Sequence, residues 1–369
     1  MTLKGTDPTV TERPDVHRTR PGDGRALDVH ECTAAPPTFA SLDTPAPDMH
    51  APHTPSAAVR PVPVFSTARV PPELRLSAWE EHNADALIAL KCRTRRGEEF
   101  RAREDNLQLD RVHLARVRST AHSVERSLDL IGQQPTGAVA LFVSLHGEAL
   151  FKQAGRRQIL RPGDLLVCDA DGHFVRGFAD GLDELALRVD RRVLPEEIRS
   201  PAPGEPLIIR RSEASPYGRA IARLVGRAVD GHDPTPPDEQ TIVDLLSVLV
   251  SDGAVRPHVL HRALACAYVE DRLRDPRLSA TEVAQAVGIS VRQLTRVFAD
   301  MGKTFPRHVL GRRLELAHNL LTGPDAPTLS TAGVAAKCGF RSTAHFSQTF
   351  QEHFGIAAGE LRRAAAKRC

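Results

Sequence analysis

Two segments of the sequence resemble each other, residues 282–305 and 333–357, at an offset near 51 residues. Small and apolar positions recur in the same order: Val283, Ala284, Gly288, Ile289, Leu294, Phe298 and Gly302 correspond to Val334, Ala335, Gly339, Phe340, Phe346, Phe350 and Gly355. Each copy has the pattern of two short helices joined by a tight turn. This repeat constrains the C-terminal part of the chain to a helical fold that contains one unit twice.

The first copy carries helix-end signals at the expected places. Ser279 with Glu282 three residues later is a capping-box pattern for a helix over Thr281–Val287, and Gly288 is suited to end that helix. Ser290 is predicted to cap a second helix, with Gln293 as its box partner. Leu294, Val297 and Phe298 share the inward face. The outward face, which a DNA major groove would meet, holds Arg292, Gln293, Thr295 and Arg296.

The second copy repeats these signals, with Ser330 or Thr331 as the first cap and Ser342 as the second. Its predicted DNA-contacting residues are Arg341, Ser342, Thr343, His345 and Gln348. A long helix, Pro306–Leu321, is predicted to join the copies and to end at Gly323-Pro324. A rigid connector matters because two such helices enter successive major grooves only when they lie about 34 Å apart.

The charge of the chain is unevenly distributed. Residues 258–369 contain 16 Lys and Arg against 9 Asp and Glu, whereas the remaining residues contain 33 against 37. A basic C-terminal part beside a mildly acidic remainder favours a polyanionic partner for one domain only. The sequence has no apolar run long enough to span a membrane, and its six cysteines are scattered. We therefore expect a cytoplasmic protein with reduced thiols and neither metal nor cofactor.

The N-terminal part has a different character. Residues 1–63 hold 11 of the 28 prolines and are expected to be a disordered tail, or in part the product of a start codon placed too early. A helix is predicted over Leu74–Leu90. Short strands at Ala138–Leu145, Ala149–Gln153, Gln158–Leu160, Leu165–Cys168 and Leu185–Val189 indicate a small antiparallel barrel or sandwich. Two amphipathic helices, Tyr217–Val229 and Glu239–Val250, follow, and residues 251–257 are predicted to be a linker.

The second copy carries the motif by which residues 258–369 resemble the DNA-binding domain of the AraC/XylS family. That motif is the Ala335–Phe340 turn, then Ser342 and Phe346, then Phe350 and Phe354-Gly355. The resemblance implies seven helices arranged as two helix-turn-helix units joined by a long helix. The chain departs from the family near its end, where Ala358 replaces a usual proline and Leu361 a usual aromatic residue.

Residues 64–250 resemble the AraC-binding-like sensory domain, on residues 65–82, 146–170 and 185–195. This resemblance implies an α+β chain in which a cupin-like barrel with helices precedes the all-α domain. It also implies that the barrel senses a small molecule and contributes to a homodimer. The resulting hypothesis is a regulator, not an enzyme, that binds promoter DNA under effector control and recruits or blocks RNA polymerase.

Three alternatives remain open at this stage. A metal-dependent cupin enzyme would use His146, Glu148 and His173, although the chain has no His-x-His pair. A DNA-repair sensor would need an activated cysteine, whereas Cys168 has the surroundings of a small core residue. A third alternative is a barrel that only dimerises. Trp79, the single tryptophan, is expected to pack in the core rather than to contact an effector.

Overall fold

Antiparallel strands build most of the N-terminal domain in the computed structural model, which describes residues 64–195, 205–213, 215–230, 236–251, 256–323 and 326–366. The predicted tail over residues 1–63 and most of the predicted linker lie outside these ranges. The strands are β1 (Phe65–Ser66), β2 (Lys91–Arg93), β3 (Ala102–Gln108), β4 (Val112–Ser119), β5 (His122–Arg126), β6 (Ala138–His146), β7 (Ala149–Gln153), β8 (Arg156–Leu160), β9 (Leu165–Asp169), β10 (Phe174–Phe178), β11 (Leu182–Asp190) and β12 (Leu207–Ile209).

The strands form two sheets that face each other. One has the order β1-β3-β4-β11-β6-β9-β12 and the other the order β2-β5-β10-β7-β8, and neighbouring strands are antiparallel throughout. Side chains of both sheets, among them Ala140, Phe151 and Phe174, share one buried cluster between them. The domain is therefore the predicted cupin-like barrel, and the chain has the predicted α+β class.

The helices of the described residues are α1 (Arg75–Ala86), α2 (Leu128–Gln133), α3 (Pro216–Ala228), α4 (Glu239–Val250), α5 (Pro257–Arg272), α6 (Ala280–Val287), α7 (Val291–Asp300), α8 (Phe305–Thr322), α9 (Thr331–Lys337), α10 (Thr343–Phe354) and α11 (Ala358–Ala366). Helix α4 has the predicted bounds, and α3 is shifted by one residue. The final helix begins at Ala358, the residue that departs from the family pattern.

The prediction of a helix over Leu74–Leu90 is wrong at its C-terminal end. Helix α1 stops at Ala86, and the chain turns at Leu87 toward strand β2. Arginine side chains of the barrel bind the released carbonyl groups: Arg188 donates to the Leu87 oxygen at 2.8 Å, and Arg126 donates to the Ala89 oxygen at 3.0 Å. These contacts replace the hydrogen bonds that another helical turn would have made.

Seven strands of the described barrel were not predicted, namely β1, β2, β3, β4, β5, β10 and β12. In β3 and β4 the reason is that several buried side chains are polar. In β3, Glu104 and Asn106 are buried, and in β4 the buried His113 lies 2.7 Å from the Asn106 side-chain oxygen. A strand whose inward positions are polar lacks the apolar alternation on which the prediction depended. The contact between His113 and Asn106 can form only after the two strands have paired.

Helix α5 belongs to two hydrophobic cores. Its Ala263 and Ala267 pack with α3, α4 and the outer face of the seven-stranded sheet, whereas Ala265, Cys266 and Val269 pack with the helices that follow. Ion pairs join the same helices, and the two contacts from Arg262 to Asp244 measure 2.6 and 2.8 Å. Helix α5 therefore connects the N-terminal domain to the first helix-turn-helix unit through packed side chains.

Candidate nucleic-acid interface

The first helix-turn-helix unit consists of α6 and α7. The Ser279 hydroxyl accepts a hydrogen bond from the Glu282 N–H at 3.3 Å, but the Glu282 carboxylate accepts from the Tyr268 hydroxyl at 2.9 Å, so only half of the predicted capping box forms. Gly288 ends α6 with a φ of +79°. At the start of α7, Ser290 and Gln293 form the complete predicted box.

The predicted faces of α7 are observed. Leu294, Val297 and Phe298 are buried, and Arg292, Gln293, Thr295 and Arg296 are exposed. Gln293 is held in the cap, and the Thr295 hydroxyl donates to the Val291 carbonyl at 2.9 Å. Among the residues that the structure describes, Arg292 and Arg296 have no ion-pair partner. They stand four residues apart, so one helix face presents two available guanidinium groups.

The second unit consists of α9 and α10. Ser330, rather than Thr331, caps α9, and Ser342 caps α10. Phe346 and Phe350 are fully buried, with ring centroids 5.4 Å apart. All five predicted DNA-contacting residues of this unit are exposed, namely Arg341, Ser342, Thr343, His345 and Gln348.

Some of these five side chains already have partners within the protein. The Ser342 hydroxyl accepts from the His345 N–H at 3.3 Å, and the Gln348 amide donates to Glu352 at 2.9 Å. Arg341 donates through Nε to the Pro276 carbonyl at 3.0 Å. Sequence spacing gave no sign of this last contact, since the two residues are 65 positions apart. Thr343 and His345 keep their side chains exposed at the start of α10.

The loop Leu273–Pro276, which follows α5, holds the two units together. Arg313 of α8 donates to the Leu273 carbonyl at 2.9 Å and to the Asp275 carbonyl at 2.7 Å. Arg341 binds the same loop, and Gly339 lies directly against it. The apolar faces of both units also share one core with α8. The connecting helix is therefore supported by side contacts, whereas the separation of the recognition helices α7 and α10 stays a prediction.

Equivalent glycines of the two units lie in different surroundings, which allows a matched test. Gly288 and Gly339 have φ values of +79° and +78°, but an added Cβ would meet open space at Gly288 and the Leu273 carbonyl oxygen at 2.9 Å at Gly339. We expect Gly288→Ala to cost about 1–2 kcal/mol from the left-handed backbone alone. Gly339→Ala should lower the free energy of unfolding by clearly more than Gly288→Ala does. The measurement is urea unfolding followed by far-UV circular dichroism. Equal losses in the two variants would contradict the close contact at Gly339.

The barrel contains a cavity beneath α1, between the two sheets. Four aromatic side chains line it, together with the charged residues Arg176, Glu184 and Arg188; the aromatic residues are Trp79, Phe142, Phe174 and Phe178. Trp79 is buried in the core, as predicted, and its side chain also forms part of the cavity wall.

The residues of the two catalytic alternatives are not arranged for chemistry. His173 lies 3.5 Å from Glu125, and Glu148 pairs with Arg161 at 3.3 Å, so the proposed metal ligands do not converge. Within the described ranges, no cluster of three or more metal-ligating side chains occurs. Burial raises the pKa of Cys168 to about 12, which keeps its thiol protonated and unreactive at neutral pH.

Comparison with known proteins supports both domains. Residues 79–255 match the family model of the AraC-binding-like domain, and residues 256–364 match that of a helix-turn-helix domain. The transcriptional activator NphR of Rhodococcus sp. is 28% identical over 272 residues, which are 69% of this chain and 79% of that protein. The chain belongs to the AraC family of transcriptional regulators.

A second relative of this AraC-family chain covers a smaller part of it, and one solved structure aligns with a part of similar length. The transcriptional activator RhrA of Rhizobium meliloti is 39% identical over 127 residues, 33% of this chain and 40% of that protein. The crystal structure of the AraC-like transcriptional activator CuxR covers 70% of this chain and 96% of its own, with 19% identity and a TM-score of 0.43. In the part of this chain that the structure describes, no helix is long and apolar enough to cross a membrane.

Proposed function

We propose that this chain activates transcription from specific promoters and that a small molecule in the barrel controls its binding to DNA. The observation that carries the proposal is the pair of capped, exposed helices α7 and α10, whose units share one hydrophobic core. The names of NphR and RhrA, both transcriptional activators, support activation rather than repression. A homodimer that recruits RNA polymerase completes the proposal, as the family resemblance implies.

We assign different roles to the nine predicted DNA-contacting residues, according to whether their side chains already bind another group of the protein. Arg292 and Arg296 contact bases, because an available guanidinium can bind guanine O6 and N7 in bidentate fashion. Thr343 and His345 approach bases at the start of α10. The capping residues Gln293 and Ser342 fix the helix ends, and Thr295, Arg341 and Gln348 contact the phosphate backbone through their remaining polar atoms.

Replacement of Arg296 tests the interface. We expect Arg296→Ala to weaken specific DNA binding by about 1–3 kcal/mol, and Arg296→Lys to restore phosphate attraction without base discrimination. The measurement is a gel-shift titration of full-length protein on an operator found by genome-wide mapping of bound DNA. Arg161→Ala, at an exposed barrel turn, is the control and should bind normally. Unchanged affinity in both Arg292→Ala and Arg296→Ala would refute this assignment.

Contacts between the domains offer a path for effector control. Arg312 of the connecting helix α8 binds Glu270 of α5 at 2.6 and 3.1 Å and also the Pro236 carbonyl, just before α4, at 2.8 Å. Arg223 and Arg227 of α3 both pair with Asp271 of α5 at 2.9 Å. A ligand that shifts α3 and α4 relative to the barrel would therefore move the first helix-turn-helix unit with them, and the population of the DNA-binding arrangement would change.

A further inference from the structure

Two alanines in the wall of the barrel, Ala140 and Ala186, leave room for the cavity. Along β6 and β11, large side chains such as Leu141 and Leu187 face the helices, whereas Ala140 and Ala186 face the space between the sheets. Their cross-strand partners are Arg188 and Phe142. The empty space amounts to roughly 550 Å³ when the open mouth is counted. The volume that compares with measured cavities is about 40 Å³, so a ring bound here would extend into the open mouth.

The first charged pair of the cavity is internally neutralised. Arg176 and Glu184 are each only 3% exposed and form two parallel hydrogen bonds of 2.8 and 2.6 Å. The Arg176 guanidinium carbon lies 4.2 Å from the centre of the Phe142 ring and 4.9 Å from that of Phe178. Its buried Nε has no hydrogen-bond partner among the described residues. This pair therefore offers one unused donor but little net charge.

The second cation, Arg188, is not neutralised in this way. It lies on the same strand face as Glu184 but four residues further along, a spacing of about 13 Å. Its Nη1 donates to the Leu87 carbonyl, and no carboxylate of the described chain lies within ion-pair distance. Burial lowers its pKa, because the charged form is poorly solvated there. An anionic ligand would supply the missing counter-charge and accept charge-assisted hydrogen bonds.

The aromatic walls determine the shape of that ligand. Trp79, Phe142, Phe174 and Phe178 surround the space next to these charges. The nearby His122 adds no charge at neutral pH, since burial lowers its pKa to about 4 and its Nδ1 lies 3.0 Å from the Thr120 carbonyl. Flat apolar walls with one cation favour a planar ring that carries one anionic group.

We infer that the barrel binds a small aromatic anion, with its ring among the four aromatic side chains and its anionic oxygens on Arg188. This inference rests on the proposed control by an effector and specifies the chemical class of that effector. Arg176 stays part of the wall of the site, held in place by Glu184.

Thermal unfolding of the full-length protein tests the ligand class with simple probes. Benzoate and phenylacetate should raise the Tm in a concentration-dependent manner. Benzyl alcohol lacks the charge, benzylamine has the opposite charge, and cyclohexanecarboxylate lacks the planar ring; all three should act far more weakly. A Tm unaffected by either aromatic carboxylate at millimolar concentration, or equally raised by the uncharged alcohol, would overturn the inference.

Variants of β11 and its end identify the site. Arg188→Gln should weaken binding of benzoate at least about tenfold, Arg188→Lys should keep the preference for anions, and Arg192→Gln, at an exposed position, should bind as the wild type does. Ala186→Leu should fill the cavity and abolish binding of every probe. If Arg188→Gln and Ala186→Leu remain folded by circular dichroism and bind benzoate normally, the site is not this cavity.

Failure of the ligand class can be told apart from failure of the proposed function. A protein that binds its mapped operator but ignores aromatic anions contradicts only the ligand inference. A protein that binds benzoate in the cavity but has no operator contradicts the proposed function. Binding to both, with benzoate changing operator occupancy in the wild type and not in Ala186→Leu, supports the two together.

Discussion

Replacing Arg176 by methionine is expected to lower the free energy of unfolding of the barrel by about 3–5 kcal/mol, because the substitution leaves the Glu184 carboxylate buried without its partner. The double variant Arg176→Met/Glu184→Met removes both charges. It should recover most of the loss, since a buried ion pair is often no more stabilising than apolar side chains of similar volume. The two variants together separate the cost of an orphaned charge from the contribution of the pair itself.

Urea unfolding followed by tryptophan fluorescence suits this measurement. Trp79 is the single tryptophan of the chain and lies in the barrel core, so its emission reports on the domain that contains the pair. Arg161→Met breaks the exposed pair with Glu148 and serves as the control, with an expected loss below about 1 kcal/mol. A single Arg176→Met variant as stable as this control would contradict the buried, ionised pair.

Acidification below about pH 6.5 is expected to destabilise the barrel through two buried histidines. Burial lowers the pKa of His113 to about 3 and that of His122 to about 4, from the ordinary value of 6.5. The folded barrel therefore keeps both imidazoles neutral, whereas the unfolded chain protonates them near pH 6.5. Their contribution is complete above pH 6.5 and is lost as the pH falls toward 4. At pH 5 each histidine should have cost about 2 kcal/mol.

The pH dependence is measured by repeating the urea titration between pH 8 and pH 5. We expect a nearly constant free energy of unfolding above pH 7 and a steep fall below pH 6.5. His122→Gln should reduce that slope by about one proton, since burial then keeps one imidazole fewer neutral in the folded barrel. Stability that does not change between pH 7.5 and pH 5 would show that these imidazoles can be protonated without unfolding.

The helix-turn-helix units could be predicted because their determinants are local. A cap such as Ser290 acts on a backbone N–H three residues away, and a glycine such as Gly288 ends a helix through its own φ angle. The inward positions of α7 and α10 follow from helical spacing alone. These features lie within a few residues of one another, so the printed sequence contains them.

The barrel was predicted less completely for the same physical reason. Strands β6 and β9 can be predicted from their continuous apolar residues, whereas β3 and β4 bury the polar residues Glu104, Asn106 and His113. The alternation of small and large residues in β6 is a weak sequence indication of the cavity. The charged residues that line it come from strands that become neighbours only in the folded sheet.

The sequence by itself determined the helix ends of the two helix-turn-helix units and of the helix between them, and which of their faces are apolar. Only the tertiary structure decided that Gly339 and Arg341 contact the loop after α5 and that α5 joins two cores. It also decided that Arg188 lines a cavity with no carboxylate of the described residues within ion-pair distance. Caps and helix faces depend on neighbours a few positions away. Contacts between groups dozens of residues apart depend on the completed packing of sheets and helices.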